Sequence, residues 1–249
     1  MSKAKKSSVT TGKKGAAAPK NAKGRERRCG LLIELENVAA RGRHVTYDVM
    51  KSVLVEKGVK LQPNLFSRYC VDVPLNEGLQ DLLKAVEKTR LSTEKLAAEI
   101  SRGAELSLGE ESAPVNSGLK KLVARAREQG IRVGTLSFVG EETARKLSAP
   151  LELAEESSVL QVCPPEERHC PSADSWQRLA RGMRLAPAAC VALVAGAGAC
   201  RAALGAGMQC VVVFDEFTAF QDFGGADLIV DGFGEENLAG IERVLGLAS

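Results

Sequence analysis

Two glutamates behind an apolar run are the residues of this chain best suited to chemistry. Glu34 and Glu36 follow Leu31, Leu32 and Ile33. In a β-strand, residues two positions apart lie on the same face, so both carboxylates are expected to project together where the strand ends. Paired carboxylates at the carboxyl end of a buried strand can hold Mg²⁺ and carry out phosphoryl chemistry. A solvated strand end is the alternative interpretation.

A block of helices is predicted after this first strand, which covers residues 31–35. Apolar residues at helical spacing predict a helix over residues 45–57 that ends at Gly58. Three more amphipathic helices are predicted downstream, and the last is expected to end at Gly103. They cover residues 64–69, 75–89 and 92–102.

Strands and helices then alternate to the end of the chain. After a helix over residues 116–129, the apolar runs predict strands at 131–136, 158–162, 190–195, 210–214 and 227–230. This alternation predicts an α/β fold with a doubly wound parallel sheet and helices on both faces. Ligands of such sheets bind beyond the carboxyl ends of the strands, which is where the two glutamates are expected.

The first 28 residues differ from the rest in charge and composition. Ten Lys and Arg side chains against Glu26 give them a net charge of +9, which leaves −6 for the rest of a chain whose total is +3. Because they hold almost nothing to bury, residues 1–28 are predicted to be a disordered basic arm. Such an arm can bind a nucleic acid or another polyanion in a salt-dependent way. A solubilising tail is the alternative, since no aromatic side chains are interleaved for base stacking.

Bulk composition narrows the class of protein. A chain of 249 residues that is 45% hydrophobic suits one domain, or one domain with a smaller inserted one, around a buried core. No apolar run approaches the roughly 20 residues that cross a bilayer, and the N-terminus has no secretory signal. Seven scattered cysteines suit reduced thiols. The prediction is a cytoplasmic protein with no membrane partner.

Several segments together point to a known family. Residues 34–38 read acid, any residue, acid, small residue, Val, and Ser137 ends the strand that would carry a second motif. Further segments follow in a matching order: residues 114–122, 190–196, 202–208 and 210–214. Over residues 31–246 the chain resembles the haloacid dehalogenase-like superfamily, in its β-phosphoglucomutase and phosphatase subgroup with a helical cap.

The resemblance implies a domain division and a reaction. It implies a Rossmannoid core over residues 29–37 and 114–249, with a helical cap domain inserted over residues 38–113. In the family, the first acid attacks phosphorus, the second protonates the leaving group, and a Ser or Thr and a Lys bind phosphate. Late acids complete a Mg²⁺ site. The first three roles fall on Glu34, Glu36 and Ser137.

The chain departs from the family's pattern at both acids and at the phosphate-binding lysine. Glutamates stand where the family has aspartates, and a displacement of about 1 Å at a reacting centre can cost ~10²-fold in rate. Cys170 stands at the lysine position. Whether Arg168, Arg178 or Arg181 replaces this lysine is left open by the sequence.

Residues 190–196, which resemble the family's fourth motif, depart further from its pattern. Its strand ends in Val194 and Ala195, whose side chains cannot coordinate Mg²⁺, and Asp215 and Glu216 are expected to lie too far along to replace the missing ligand. The leading hypothesis is therefore a catalytically inactive protein without a metal or other cofactor. It would act as a binding or scaffolding protein with a polyanion or protein partner.

Two other hypotheses stay open. One is an active phosphatase or phosphosugar hydrolase with Glu34 as nucleophile and a rebuilt Mg²⁺ site. The other is a phosphometabolite sensor that binds through Ser137 and backbone amides. The glycines of residues 196–201 could cradle a phosphate at a helix start, although close packing of helix on strand explains them more simply. Cys163, His169 and Cys170 match no common zinc spacing.

Overall fold

The computed structural model describes residues 29–110, 115–153, 158–163 and 171–247. Within these residues, six parallel strands form one sheet in the order β3-β2-β1-β4-β5-β6. The strands are β1 Gly30–Glu34, β2 Arg132–Ser137, β3 Ser158–Val162, β4 Cys190–Val194, β5 Gln209–Val213 and β6 Leu228–Val230. From β1 to β3 each new strand is added towards one edge of the sheet, and from β4 to β6 towards the other edge. The switch point between β1 and β4 opens a crevice at the carboxyl edge of the strands.

Helices cover both faces of the sheet, as predicted. Strands β1 and β4 are buried along their whole length, which is why they read as continuous apolar runs. Leu31 and Ile33 belong to one apolar cluster, and Leu32, between them, belongs to another. The predicted α/β, doubly wound parallel fold is confirmed.

Nine helices complete the described part of the chain. Four of them, α1 to α4, follow one another after β1: Gly42–Glu56, Pro63–Tyr69, Leu75–Ala85 and Thr93–Glu110. The other five, α5 to α9, alternate with the strands from β2 onward: Ser117–Glu128, Glu141–Ser148, Ala173–Gly182, Ala197–Gly205 and Glu235–Val244. None of the described helices has the length and apolar character that a membrane span requires.

Helices α1 to α4 share an apolar cluster of their own, here called the helical layer. Met50, Leu79 and Ile100 lie fully buried inside it. One further member, Phe217, comes from the loop between β5 and β6 and is 1% exposed. The layer therefore rests on the sheet domain through an aromatic side chain. The predicted division into a core and a cap over residues 38–113 stays a prediction.

The prediction that a helix ends at Gly103 is wrong. Helix α4 continues to Glu110. A Cβ atom at residue 103 would stand 2.8 Å from Cγ1 of Val49 in α1. The glycine is thus explained by the close approach of two helices, a packing role that sequence alone does not distinguish from a helix stop.

Several predictions concern residues outside the described ranges. They include the basic arm over residues 1–28, and Arg168, His169 and Cys170. The ends of the predicted cap and core at residues 113 and 114, and the last two residues of the chain, also lie outside.

Candidate active site

Both glutamates lie at the carboxyl edge of the sheet. Glu34 is the last residue of β1, and Glu36 lies in a single π-helical turn, Leu35–Ala39, that follows it. The strand alternation that was used to place them together is therefore wrong for Glu36, because the strand has ended before it. Their relative exposures of 1% and 3% also exclude a solvated strand end.

Glu34 is held by donors on both of its oxygens. The Asn37 side-chain amide donates to Oε1 at 2.5 Å, and the Ala195 backbone N–H donates to Oε2 at 2.9 Å. Nη2 of Arg43 stands 3.9 Å from Oε1. Burial raises the pKa of Glu34, while Arg43, Asn37 and Ala195 act against that rise. These donors orient the carboxylate and favour its ionised form.

Glu36 has one bonded and one free carboxyl oxygen. The Ser137 hydroxyl donates to Oε1 at 2.5 Å, whereas Oε2 is buried and accepts no hydrogen bond within the described chain. Burial raises the pKa of Glu36 to about 7, against the lowering effect of the Ser137 hydroxyl and of the backbone N–H groups of Glu36 and Phe138, and the neighbouring Glu34 adds to the rise. A carboxyl group with this pKa can both donate and accept a proton near neutral pH.

A cavity of about 590 Å³ lies between the helical layer and the sheet, and Glu36 lines it. Its wall combines apolar side chains, among them Phe66 and Phe138, with polar and acidic ones, among them Asp72 and Glu105. Arg43 is the one cationic side chain in the part of the wall that the structure describes. Concave sites that combine apolar walls with convergent polar groups are typical of small-molecule binding.

Arg43 connects the helical layer with the ends of three strands. From α1, its Nη1 donates to the Ala195 carbonyl at 3.2 Å and to Oδ2 of Asp215 at 3.0 Å. Its Nη2 stands 3.5 Å from Oδ1 of Asp72, in addition to the Glu34 contact. Burial disfavours a charged guanidinium, but Glu34, Asp215 and Asp72 outweigh that effect and raise the pKa of Arg43.

Asp72 closes the site from the other side. Its Oδ2 accepts from the Gly198 backbone N–H at 3.0 Å and from the Gln221 side-chain amide at 3.2 Å. Oε1 of Gln221 in turn accepts from the Ala197 backbone N–H at 2.8 Å. The first amides of α8, where a phosphate cradle was considered, are thus capped by side chains.

The oxygen atoms around Arg43 do not form a suitable ligand set for a divalent metal ion. Mg²⁺ needs near-octahedral oxygen ligands at about 2.0–2.1 Å. Ala195 offers only its carbonyl oxygen, which already accepts from Arg43 and, at 3.0 Å, from the Thr218 hydroxyl. Among the described residues, no three His, Cys, Asp or Glu side chains are grouped so as to hold a metal. The guanidinium stands between the carboxylates instead.

The structure brings together Glu34, Glu36 and Ser137, as the motifs predicted, and adds residues that sequence analysis missed. Asp215, expected to lie too far along, reaches the site through Arg43. Arg178 and Arg181 pair with Asp174 on their own helix, so neither is seen to replace the phosphate-binding lysine. The phosphate-binding role of Ser137 stays a prediction, because its hydroxyl here holds Glu36.

Strand order and switch point define a doubly wound α/β protein, with both acids at its ligand-binding edge. No protein-family model matches the chain. The chain is similar to the protein CbbY of Cereibacter sphaeroides, with 29% identity over 234 residues that span 88% of this chain and 96% of CbbY. The resemblance predicted from the motifs is confirmed at the level of the superfamily.

Solved structures agree on the fold. A crystal structure of a CbbY mutant from Rhodobacter sphaeroides in complex with xylulose-1,5-bisphosphate aligns with a TM-score of 0.67 and 20% identity, over 83% of this chain and 95% of the other. A haloacid dehalogenase family hydrolase from Deinococcus radiodurans, with bound phosphate and sodium, aligns with a TM-score of 0.66 and 17% identity. The alignment covers 90% of this chain and 99% of the other. At these identities the likeness establishes the fold.

Proposed function

We propose that this protein is a phosphoric monoester hydrolase that acts on a small phosphorylated molecule, such as a sugar phosphate, in the cavity beside Glu36. The observation that carries the proposal is the state of that carboxyl group. Its Oε2 is buried without a partner in the described chain, its pKa is about 7, and it lines a cavity large enough for a small metabolite. Buried polar atoms are rarely left unpaired unless they serve a ligand or a reaction.

Similar proteins support this class of substrate. The CbbY mutant structure contains a sugar bisphosphate, and the Deinococcus radiodurans hydrolase structure contains phosphate. The likeness to CbbY extends over nearly the whole of both chains. In this protein, Arg43 would supply the positive charge that a phosphate group meets in the cavity.

The two glutamates suit two different roles. Asn37, Ala195 and Arg43 hold the Glu34 carboxyl group in place, as a nucleophile requires, whereas the pKa of Glu36, about 7, suits the transfer of a proton near neutral pH. An oxygen of Glu34 would attack phosphorus as the bond to the leaving oxygen breaks, and that oxygen would take the proton of Glu36. The Glu36 carboxylate would then take a proton from water, whose oxygen attacks phosphorus, releases phosphate and restores Glu34.

Hydrolysis of p-nitrophenyl phosphate by the full-length chain tests the proposal. Glu34→Gln is expected to reduce the rate to that of buffer, and Glu36→Gln to reduce kcat by about 10²-fold or more, since general acid–base catalysis contributes that much. The control is Glu142→Gln, a side chain 86% exposed on α6, which should keep the wild-type rate. Absence of turnover in the wild type, or full turnover in Glu34→Gln, would contradict the proposal.

A non-catalytic binding function is the second candidate, and the engagement of Glu34 favours it. Both oxygens of this side chain already accept hydrogen bonds, and Ala195 has no carboxylate. If the protein is a scaffold or a phosphometabolite sensor, it will show no turnover. For the sensor, inorganic phosphate or a sugar phosphate should raise the melting temperature, and Ser137→Ala should abolish that rise.

For residues 1–28 we propose a nucleic acid or another polyanion as the partner. Their net charge of +9 supports this, because a cationic segment releases counterions when it binds phosphates. Retention on a heparin column should fall strongly when residues 1–28 are deleted and should weaken with added salt. Unchanged retention of the deletion variant would contradict the proposal.

A further inference from the structure

Arg43 stands where the resemblance would place a metal ion. Its guanidinium lies between Glu34 at the end of β1, the Ala195 carbonyl after β4 and Asp215 after β5. It has an exposed side-chain fraction of 9%, so its charge is largely removed from water. A buried charge persists only where partners compensate it, and three carboxylates do so here.

The surroundings are shaped for this side chain. A Cβ atom at Gly196 would lie 2.5 Å from Nη2 of Arg43 and 2.9 Å from Oδ1 of Asp72, so any larger residue would displace the pair. The same helix-entry position brings the Ala195 carbonyl to 3.2 Å from Nη1. Because residue 196 is glycine and residue 195 is alanine, neither side chain occupies the space of the guanidinium.

The two ends of the guanidinium are bonded unequally. Nη1 makes two hydrogen bonds, to Ala195 and Asp215. Nη2 is 3.5 Å from Asp72 and 3.9 Å from Glu34, ion-pair separations longer than a normal hydrogen bond. Since Arg43 also lines the cavity, its guanidinium is the described cation that an incoming phosphate oxygen can meet there.

We propose that Arg43 is the permanent cation of this site, in place of a divalent metal ion, and that the protein binds its phosphorylated ligand without one. The part that concerns phosphate rests on the proposed function. A guanidinium covalently attached to α1 does not dissociate, remains charged at all physiological pH values and cannot be removed by a chelator.

Metal binding without substrate tests the inference. Wild-type full-length protein is titrated with Mn²⁺, and free Mn²⁺ is followed by electron paramagnetic resonance. In parallel, melting temperatures are measured with MgCl₂ and with NaCl at matched ionic strength. We expect no stoichiometric Mn²⁺ binding and no Mg²⁺-specific rise. A wild-type protein that binds one Mn²⁺, with binding abolished by Glu34→Gln, would overturn the inference.

Two substitutions at residue 43 sharpen the test. Arg43→Ala leaves carboxylates without their cation, so its melting temperature should fall by about 10 °C and should now rise with Mg²⁺. Arg43→Lys keeps the charge and should remain insensitive to Mg²⁺. A folded Arg43→Ala that gains no response to Mg²⁺ counts against the inference. If Arg43→Ala does not fold, the wild-type titration decides alone.

The outcomes separate this inference from the proposed function. Wild-type phosphatase activity that persists in EDTA supports both the inference and the proposed function. Activity that appears only with added Mg²⁺ contradicts the inference and leaves the hydrolase proposal standing. Absence of turnover combined with absence of Mn²⁺ binding contradicts the hydrolase proposal and supports Arg43 as the cation of the site.

Discussion

Glu34 and Glu36 are the same residue type two positions apart, yet their surroundings separate their chemistry. Donors reach both oxygens of Glu34, from Asn37 and from the backbone of Ala195, whereas Ser137 donates to Oε1 of Glu36 and Oε2 of Glu36 has no partner among the described residues. A buried carboxyl group with fewer donors gains less from ionisation. The pKa of Glu36, about 7, lets this residue, which faces the cavity, exchange a proton near neutral pH.

This difference predicts how stability depends on pH. Because folding raises the pKa of Glu36 from 4.5 to about 7, the folded state binds more protons than the unfolded state between these values. The free energy of unfolding should therefore fall as pH rises through this window, by about 3 kcal/mol for this group. Glu36→Gln should lack that part of the loss. Urea denaturation of both proteins, at pH of about 5 and about 8, measures it.

Glu34 is present in both proteins, so the difference between wild type and variant reports Glu36 together with its interaction with Glu34. The exposed Glu142→Gln is the matched control and should keep the wild-type dependence on pH. Parallel pH dependences for wild type and Glu36→Gln would show that Glu36 is ionised throughout.

Gly196 offers a second prediction at the residue scale. Its backbone, with φ −145° and ψ 160°, is extended, so alanine is conformationally acceptable there. The added Cβ would meet Arg43 at 2.5 Å, and Gly196→Ala should cost about 1–3 kcal/mol of unfolding free energy. Gly205→Ala, in the same helix with its nearest neighbour at 3.7 Å, should cost nothing. Equal stabilities would show that Arg43 moves away freely.

Sequence patterns identified the acids of the site but not the cation between them. Glu34 and Glu36 were recognised because they come after an apolar run, and Ser137 was recognised through the family resemblance. Arg43 contacts Ala195 and Asp215 across 152 and 172 residues, and no local pattern marks such a contact. The one available signal was the absence of an acid at residue 195 together with a basic residue soon after the first motif.

At the scale of elements, close helix contacts explain what turn signals did not. The length of α4, 18 residues, exceeds the prediction because Gly103 lies inside the helix against Val49 of α1. The strands were easier to predict, since burial on both faces gives apolar runs that need no partner to be recognised. Helix ends depend on neighbours that are distant in the chain, and these were predicted less well.

Two glycines in α4 test this explanation. Gly103→Ala should destabilise the protein by about 1–3 kcal/mol, because its Cβ would be 2.8 Å from a stiff valine side chain. Gly109→Ala, whose nearest neighbour is 3.6 Å away, should be neutral or stabilise by up to about 1 kcal/mol through helix propensity. Thermal melts of both variants give the comparison. A stabilising Gly103→Ala would mean that α1 and α4 are not held this closely.

The whole molecule joins a sheet domain to a helical layer at the mouth of the candidate site. Arg43 and Asp72 make the polar connection, and Phe217 makes the apolar one. The Phe217 ring lies 5.0 Å from that of Phe66 and 5.3 Å from that of Tyr47. Because the cavity lies between the two parts, whatever holds them together also determines access to Glu36.

Phe217→Ala should therefore loosen the helical layer from the sheet. Truncating a buried phenylalanine typically costs about 3–5 kcal/mol, and here the loss falls on the contact between the two parts. Urea denaturation should show the loss, and limited proteolysis should cut α1 to α4 faster than the sheet domain. Phe220→Ala, three residues further and 65% exposed, is the matched control and should change neither measurement. If both variants behave alike, Phe217 does not hold the layer, and the polar contacts of Arg43 and Asp72 must hold it alone.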